Sequence, residues 1–260
     1  MSNHQPPEEA DFIVIGGGIA GASVAWHLAP CGRVIVLERE SQPGYHATGR
    51  SAALFAESYG SAQVRALTMA SRAFLECPPP GFAEHPLLTA RGALLVATQE
   101  QEALLQQSWR TLCTLSDRMQ LLDRQQACAM VPVLRPERVV GALYDPDAAD
   151  IDVNGLQQGY LRGLRQHGGR LVCDAEVMRL SRTGRGWLVS AGGREYSAPT
   201  VLNAAGAWAD RIAQMAAVAP IGLQPRRRSV FVFPPPGDVD VARWPLTIGI
   251  AEDWYFKPDA

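Results

Sequence analysis

At 260 residues, 47% hydrophobic and 19% charged, the chain can bury a sizeable core and is not a disordered segment. A formal net charge of −2 with a pI near 6.2 gives no basic field for nucleic acid. The cysteines, Cys31, Cys77, Cys113, Cys128 and Cys173, are scattered and fit neither a metal site nor a disulfide framework.

Residues 1–10 read as a polar, disordered lead-in, and the acidic residues Glu8, Glu9 and Asp11 argue against a signal peptide. No apolar run approaches the roughly 20 residues of a bilayer span. The expectation is a soluble, cytoplasmic protein without a transmembrane segment, peripheral attachment at the inner membrane being left open. The apolar run Phe12–Ile15 then reads as a buried parallel strand. It breaks into Gly16-Gly17-Gly18-Ile19-Ala20-Gly21, continues as a helix through Ala25 and Leu28, and returns as a second apolar run, Val34–Leu37, ending on Glu38. Gly16, Gly18 and Gly21 form G-x-G-x-x-G at a strand-to-helix turn. Gly16 makes the turn, Gly18 admits a pyrophosphate close to the backbone, and Gly21 lets the helix pack on the strand. The helix N-terminus favours an anion, and Glu38 is placed to accept ribose hydroxyls and to repel a 2′-phosphate. A purely structural glycine turn is the bland alternative, but the surrounding strand, helix, second strand and acidic residue favour a dinucleotide.

Further on, Ser41–His46 is a turn, and Ala47-Thr48-Gly49-Arg50-Ser51-Ala52-Ala53 has the small, hydroxyl-rich composition of either a cofactor loop or a surface loop. Apolar spacing predicts a helix over Gln63–Phe74, a strand at Leu94–Val96 and an amphipathic helix from Leu104 to Leu115. Asp123 and Gln126 form a capping box for a shorter helix that Pro132 stops. Leu156, Tyr160 and Leu164 mark another helix, ended by Gly168-Gly169. Strands follow at Leu171–Cys173, Glu176–Leu180, Gly186–Ser190 and Thr200–Asn203. The last runs into a second turn of small residues, Ala204-Ala205-Gly206-Ala207-Trp208. Val230–Phe233, Leu246–Ile250 and Trp254–Phe256 read as strands.

These stretches together resemble the D-amino-acid oxidase family of FAD-dependent oxidoreductases, in its glycine-oxidase-like branch, with the bacterial D-arginine dehydrogenase pattern the nearest. The resemblance is carried by Asp11–Glu40, Gln42–Ala53, Gln63–Phe74, Leu121–Leu134, Tyr144–Gly163, Leu202–Asp210 and Leu223–Phe231. It implies an α/β fold: a Rossmann-like FAD-binding domain of glutathione-reductase type, over 8–86 and 147–225, and a second α+β substrate domain on a mixed or antiparallel sheet, over 87–146 and 226–260. The resemblance further implies that Gly16, Gly18, Ala20, Gly21, Glu38 and Arg39 hold the ADP half of FAD. The loop Ala47, Thr48, Gly49, Arg50, Ser51, Ala52, Ala53 and Leu54 runs toward the flavin, while Val177, Ala205 and Gly206 lie close to the cofactor. Arg228 corresponds to a clamp for a substrate α-carboxylate, and Tyr59 and Tyr255 to tyrosines lining the substrate site; a solvated basic run and ordinary core or rim tyrosines are the alternatives.

The implied reaction is oxidation of a D-amino acid at Cα, with oxygen or a quinone as electron acceptor and no metal. Secondary-amine oxidation of the glycine or sarcosine type, or a non-catalytic flavin-binding relative, are the alternatives. An NAD-dependent dehydrogenase would lack the loop at 47–53 and the turn at 204–208. Three positions depart from the D-arginine dehydrogenase pattern: Leu54 replaces a histidine, Ala93 a glutamate that pairs with a cationic side chain, and Ala47 a serine. Without that carboxylate a buried guanidinium is costly, so neutral or apolar D-amino acids are expected. Family members run longer, and the resemblance implies a C-terminally truncated member that lacks a second substrate arginine.

Overall fold

A computed structural model describes residues 6–235, 237 and 239–258. The chain folds as two units: one of residues 1–52, 79–85 and 153–228, the other of 53–78, 86–152 and 229–260. The division departs from the expected boundaries chiefly at 53–78, which joins the second unit because the Leu54–Phe55 strand pairs with Ala149–Ile151 rather than with the first unit's sheets. Residues 147–152 also fall in the second unit, and 226–228 in the first.

The first unit is built on four parallel strands in the order Arg170–Val172, Val34–Leu37, Phe12–Ile15, Thr200–Asn203. The two central strands, Phe12–Ile15 and Val34–Leu37, are wholly apolar and almost wholly buried, as a sheet covered on both faces requires, while the two outer strands carry a polar residue at one or both ends. The alternation of side chains divides the strands' two faces. Val14, Val34 and Val36 pack under helices Ile19–Leu28 and Val153–Gln166, against Ala22, Ala25, Leu161 and Leu164. Ile13, Ile15, Ile35 and Leu37 pack on the other face against Val189, Ala191 and Tyr196. Those residues belong to an antiparallel sheet of Val177–Thr183, Gly186–Ala191 and Arg194–Ala198. The Gly192-Gly193 turn joins the last two, both glycines at positive φ.

The amino-terminal lead-in is ordered further forward than expected. Glu8–Glu9 adds a short parallel strand to Arg194–Ala198, and the Glu8 carboxylate receives both Arg33 (2.8 Å) and Arg170 (2.7 Å), giving this edge strand a reason to dock. Residues 1–5 lie outside the described residues.

The second unit carries a five-stranded mixed sheet in the order Tyr255–Phe256, Leu246–Gly249, Ala93–Ala97, Gly141–Asp145, Gln120–Asp123, in which only Leu246–Gly249 and Ala93–Ala97 run parallel. Helices Glu102–Leu112 and Arg124–Met130 pack against it; the capping box at the second forms as expected, with Gln126 N–H on Asp123 Oδ1 at 2.8 Å and Asp123 N–H on Gln126 Oε1 at 2.9 Å. A separate antiparallel sheet orders Leu54–Phe55, Ala149–Ile151 and Leu88–Ala90. The expected Val230–Phe233 strand does not form: the segment is irregular and Phe231 is 81% exposed. A short run of β-branched and aromatic residues favours a strand only when another strand supplies the ladder, and among the described residues none is paired to it. No helix among the described residues is long and apolar enough to cross a membrane.

Candidate cofactor site

The Phe12–Ile15 strand ends at Gly16, whose φ of +108° is a conformation glycine takes at little cost. Gly16 N–H donates to Leu37 O (2.8 Å) and Ala204 N–H to Ile15 O (2.9 Å), so the turn is clasped by the strands on both sides. A Cβ at Gly16 would strike the Ala204 carbonyl, and one at Gly21 would strike the Gly16 carbonyl, in both cases well inside contact distance. Gly18 differs. Among the described residues, the only neighbour facing its Cβ position is Thr48 Oγ1 at 3.2 Å, and helix Ile19–Leu28 begins there with no cap from its own N-cap residue. Thr48 Oγ1 accepts the Ile19 N–H at 3.0 Å. The result is a helix N-terminus that carries its positive dipole end behind a residue without a side chain and beside one capping hydroxyl, the chemistry a pyrophosphate needs.

Glu38 ends the next strand and is 6% exposed. Its Oε2 accepts Gly17 N–H (2.7 Å) and its Oε1 accepts Glu40 N–H (2.9 Å). A carboxylate has about four lone-pair sites, so acceptor capacity remains for ribose hydroxyls. Gln157, 4% exposed, donates from Nε2 to Gly17 O at 2.7 Å and fixes the middle glycine from its other side. Gln157 was not among the expected site residues. Its signal in the sequence is an amide on the same helical face as Leu161 and Leu164, a place where a polar group must have a partner.

The loop after Glu40 is held by its own backbone: Gly49 N–H donates to Gly44 O at 2.7 Å, and Arg50 Nε donates to Tyr45 O at 3.2 Å. Arg39 lies with its guanidinium 4.4 Å from the Trp208 ring and donates from Nε to Glu40 (2.9 Å). The Glu40 carboxyl is held below its ordinary value, chiefly by the His46 hydrogen bond, with Arg39 nearby adding to the effect. Ala175 N–H donates to Glu38 O (2.8 Å), which brings buried Val177 to the carboxyl end of the same strand as Glu38. Gly206, at φ +54°, has open space where its Cβ would be. The first unit therefore brings together the glycine turn, Ala20, Glu38, Arg39, Thr48, Val177, Ala205 and Gly206.

The loop's distal end belongs to the second unit. Ala53 takes φ +53° and its carbonyl accepts Ile151 N–H (2.8 Å), while Leu54 pairs with Asp150. The expected substrate residues are less fixed. Tyr59 lies in a turn and is 46% exposed. Tyr255 is half-buried in a two-residue edge strand paired with Ile248. Arg228 lies in an exposed irregular segment, not on a strand, since the strand expected after it is absent. Two polar devices were missed. Asp150 pairs with Arg91 Nε (2.7 Å) and Lys257 Nζ (2.9 Å), close to the Tyr255 strand in sequence. The Asp210 carboxylate accepts three successive backbone N–H groups, of Ile221, Gly222 and Leu223, at 3.0, 2.9 and 2.7 Å. Neither has a short-range signature, because each joins residues that only the fold brings together. Burial pushes the Cys128 and Cys173 thiols up, away from thiolate character.

A parallel sheet with a glycine turn, a buried acidic residue at the end of the second strand and an antiparallel sheet on its far face define a dinucleotide-binding oxidoreductase fold. The chain belongs to the DAO family of FAD dependent oxidoreductases, whose family model matches residues 11–260, and FAD is its cofactor. It is 29% identical over 224 residues to the L-2-hydroxyglutarate dehydrogenase of Salmonella houtenae, covering 81% of this chain and 50% of that protein. It is 25% identical over 250 residues to the glycine oxidase of Geobacillus kaustophilus, covering 92% of this chain and 63% of that protein. The crystal structure of that glycine oxidase superposes with a TM-score of 0.70 over 81% of this chain and 59% of that one. At 20% identity, the L-proline dehydrogenase of P.horikoshii shares the fold, with a TM-score of 0.72 over 95% of this chain and 66% of that one. The chain thus spans about half the length of the first of these relatives and under two thirds of the second.

Proposed function

We propose that this chain is part of an FAD-dependent enzyme that oxidises D-amino acids at Cα, preferring neutral or apolar side chains to D-arginine. The observation that carries the cofactor half of the reading is the N-terminus of helix Ile19–Leu28 behind Gly18, beside a Glu38 carboxylate with spare acceptor sites. Gly16, Gly18, Ala20 and Gly21 would seat the pyrophosphate, Glu38 and Arg39 the adenosine, and the loop from Ala47 to Leu54 the path toward the flavin, with Val177, Ala205 and Gly206 alongside. Bound FAD supplies the hydride acceptor. Arg228 would fork onto the α-carboxylate and orient Cα, and Tyr59 and Tyr255 would line the substrate site. The released imino acid hydrolyses to a 2-oxo acid and ammonia.

The substrate half is supported by chemistry common to the named relatives: glycine and L-2-hydroxyglutarate both carry a carboxylate on the carbon that is oxidised. Ala93 supports the neutral side chain, because it is buried in the sheet and puts no carboxylate where an arginine substrate would need one. A glycine- or sarcosine-type amine oxidation is the second reading, favoured by the match to glycine oxidase. Comparing kcat/KM for D-leucine, D-methionine, D-phenylalanine, D-arginine, glycine, sarcosine and L-2-hydroxyglutarate separates them. A preference for D-arginine or for L-2-hydroxyglutarate would overturn the first reading, and a preference for glycine or sarcosine would establish the second. Stopped-flow reoxidation of reduced flavin by oxygen, against a soluble quinone, decides the electron acceptor.

A further inference from the structure

Four side chains from three separate loops close a ring beside the cofactor turn. Arg39 and Glu40 follow the Val34–Leu37 strand, His46 lies in the turn after them, and Trp208 ends the turn after Thr200–Asn203. Glu40 Oε1 is shared between Arg39 Nε (2.9 Å) and His46 Nε2 (2.8 Å). The Arg39 guanidinium covers the Trp208 ring at 4.4 Å, and the His46 ring returns to Trp208 at 4.7 Å, tilted 55°. Tyr45 meets His46 edge-on at 5.2 Å, and the Arg50 guanidinium lies 5.0 Å from Tyr45. Two residues beyond His46, Thr48 accepts the Ile19 N–H at the helix N-terminus.

We infer that His46, Glu40 and Trp208 are positioning residues for the cofactor. The ring ties the 41–50 loop to the end of the Glu38 strand and to the second turn, which keeps Thr48 on the helix N-terminus and Arg39 on the adenosine side. This rests on the FAD reading above and extends it to residues that are not placed against FAD themselves. The ring side chains are half-exposed rather than core, so they can set how firmly one loop is held without holding the fold together.

The test uses the whole chain with His46→Phe, His46→Gln and Trp208→Leu. Phe keeps a ring against Trp208 but has no group for Glu40; Gln restores an N–H donor near the Nε2 position. Amide hydrogen exchange over 44–50 is measured in the cofactor-free protein, and FAD association and dissociation are followed by flavin fluorescence. For His46→Phe and Trp208→Leu, exchange over 44–50 is expected to rise and FAD to dissociate about tenfold faster at a nearly unchanged association rate. His46→Gln is expected to restore both, and the thermal midpoint of the apoprotein to hold in all three. The inference is overturned by unchanged exchange, by faster exchange with an unchanged dissociation rate, by His46→Gln as impaired as His46→Phe, or by a common loss of thermal stability. A wild-type chain that takes up no FAD overturns the cofactor reading itself, whereas FAD binding indifferent to the three variants overturns only the positioning roles.

Discussion

The cofactor side of this molecule and its expected substrate side differ in what fixes them. Around Gly16–Gly21 the geometry is set by backbone positions: Gly16 N–H is held by the next strand, Gly17 and Ile19 by Glu38, Gln157 and Thr48, and a Cβ at Gly16 or Gly21 would collide with a main-chain carbonyl. Tyr59, Arg228 and Tyr255 are side chains on a turn, an irregular segment and a two-residue edge strand. A site made by backbone needs the fold alone. A site made by side chains on such segments takes its geometry from whatever else orders them, and tolerance to substitution should follow that difference.

The largest effect is expected at Gly21→Ala. The new methyl would meet the Gly16 carbonyl, a backbone atom of the turn itself, so relief requires moving the helix off the strand. Overpacking of this kind costs about 3 kcal/mol, and FAD binding should be lost with it; thermal unfolding and flavin fluorescence measure the two. A Gly21→Ala protein that unfolds like wild type and binds FAD would mean that the turn is looser than its contacts imply. Next comes Asp150→Asn in the second unit. Arg91 and Lys257 would share a partly buried neutral amide in place of a carboxylate. Leaving such charges poorly matched costs about 2–3 kcal/mol, against under about 1 kcal/mol for Glu8→Gln at the more exposed Arg33 and Arg170 pairs. Chemical denaturation of the two variants side by side checks the ranking.

Glu38→Gln should come third. Both carboxylate oxygens accept backbone N–H groups, and an amide has one oxygen only, so one N–H would face an NH2. An unsatisfied buried donor costs about 1–3 kcal/mol, and FAD affinity should fall by roughly tenfold or more. If Gln binds FAD as well as Glu does, the carboxylate is not the ribose acceptor.

The same contrast explains what was legible beforehand. Gly16, Gly18, Gly21 and Glu38 could be read off because one strand–turn–helix–strand unit contains them, and because backbone close approach leaves glycine as its signature. The capping box at Asp123 and Gln126 was legible for the same local reason. Gln157, Asp150 and Asp210 were not, since their partners lie far along the chain: Gly17, Arg91 with Lys257, and 221–223. Val230–Phe233 was misread because a run of β-branched and aromatic residues states what a strand would favour and says nothing of whether a partner strand is there. Edges were missed in both directions. Glu8–Glu9 pairs although it is polar, because salt bridges and a free sheet edge suffice.

A smaller, pH-dependent effect is expected at Glu40. The His46 hydrogen bond, and after it the Arg39 charge, hold its carboxyl below the reference value of 4.5. The unfolded chain therefore binds more protons near and below that pH, and stability rises with pH there. The contribution of Glu40 is in place above 4.5 and is lost as pH falls through the lower, folded value. The difference in thermal midpoint between wild type and Glu40→Gln should be small near neutrality and should close in acid. A difference that widens in acid would mean that the shift has the opposite sign.

The smallest effect is expected on the Ala62–Glu76 helix, where the apolar spacing that predicted the helix is mostly exposed. Leu67 is 70% exposed, with Val64 and Met69 also open to solvent, and Leu75 is the one buried residue of this helix. Removing an apolar side chain from solvent-facing positions changes stability by about 0.5 kcal/mol or less, so Leu67→Ser should unfold with the wild-type midpoint. The helix forms regardless, because Ser61 caps it by accepting Val64 N–H, and Arg72 reaches Glu76 one turn on as well as Glu57. A loss of more than about 1 kcal/mol would be the instructive result. It would show that this apolar face is covered in solution, and that the second unit, like the first, is finished by contacts its sequence pattern announces.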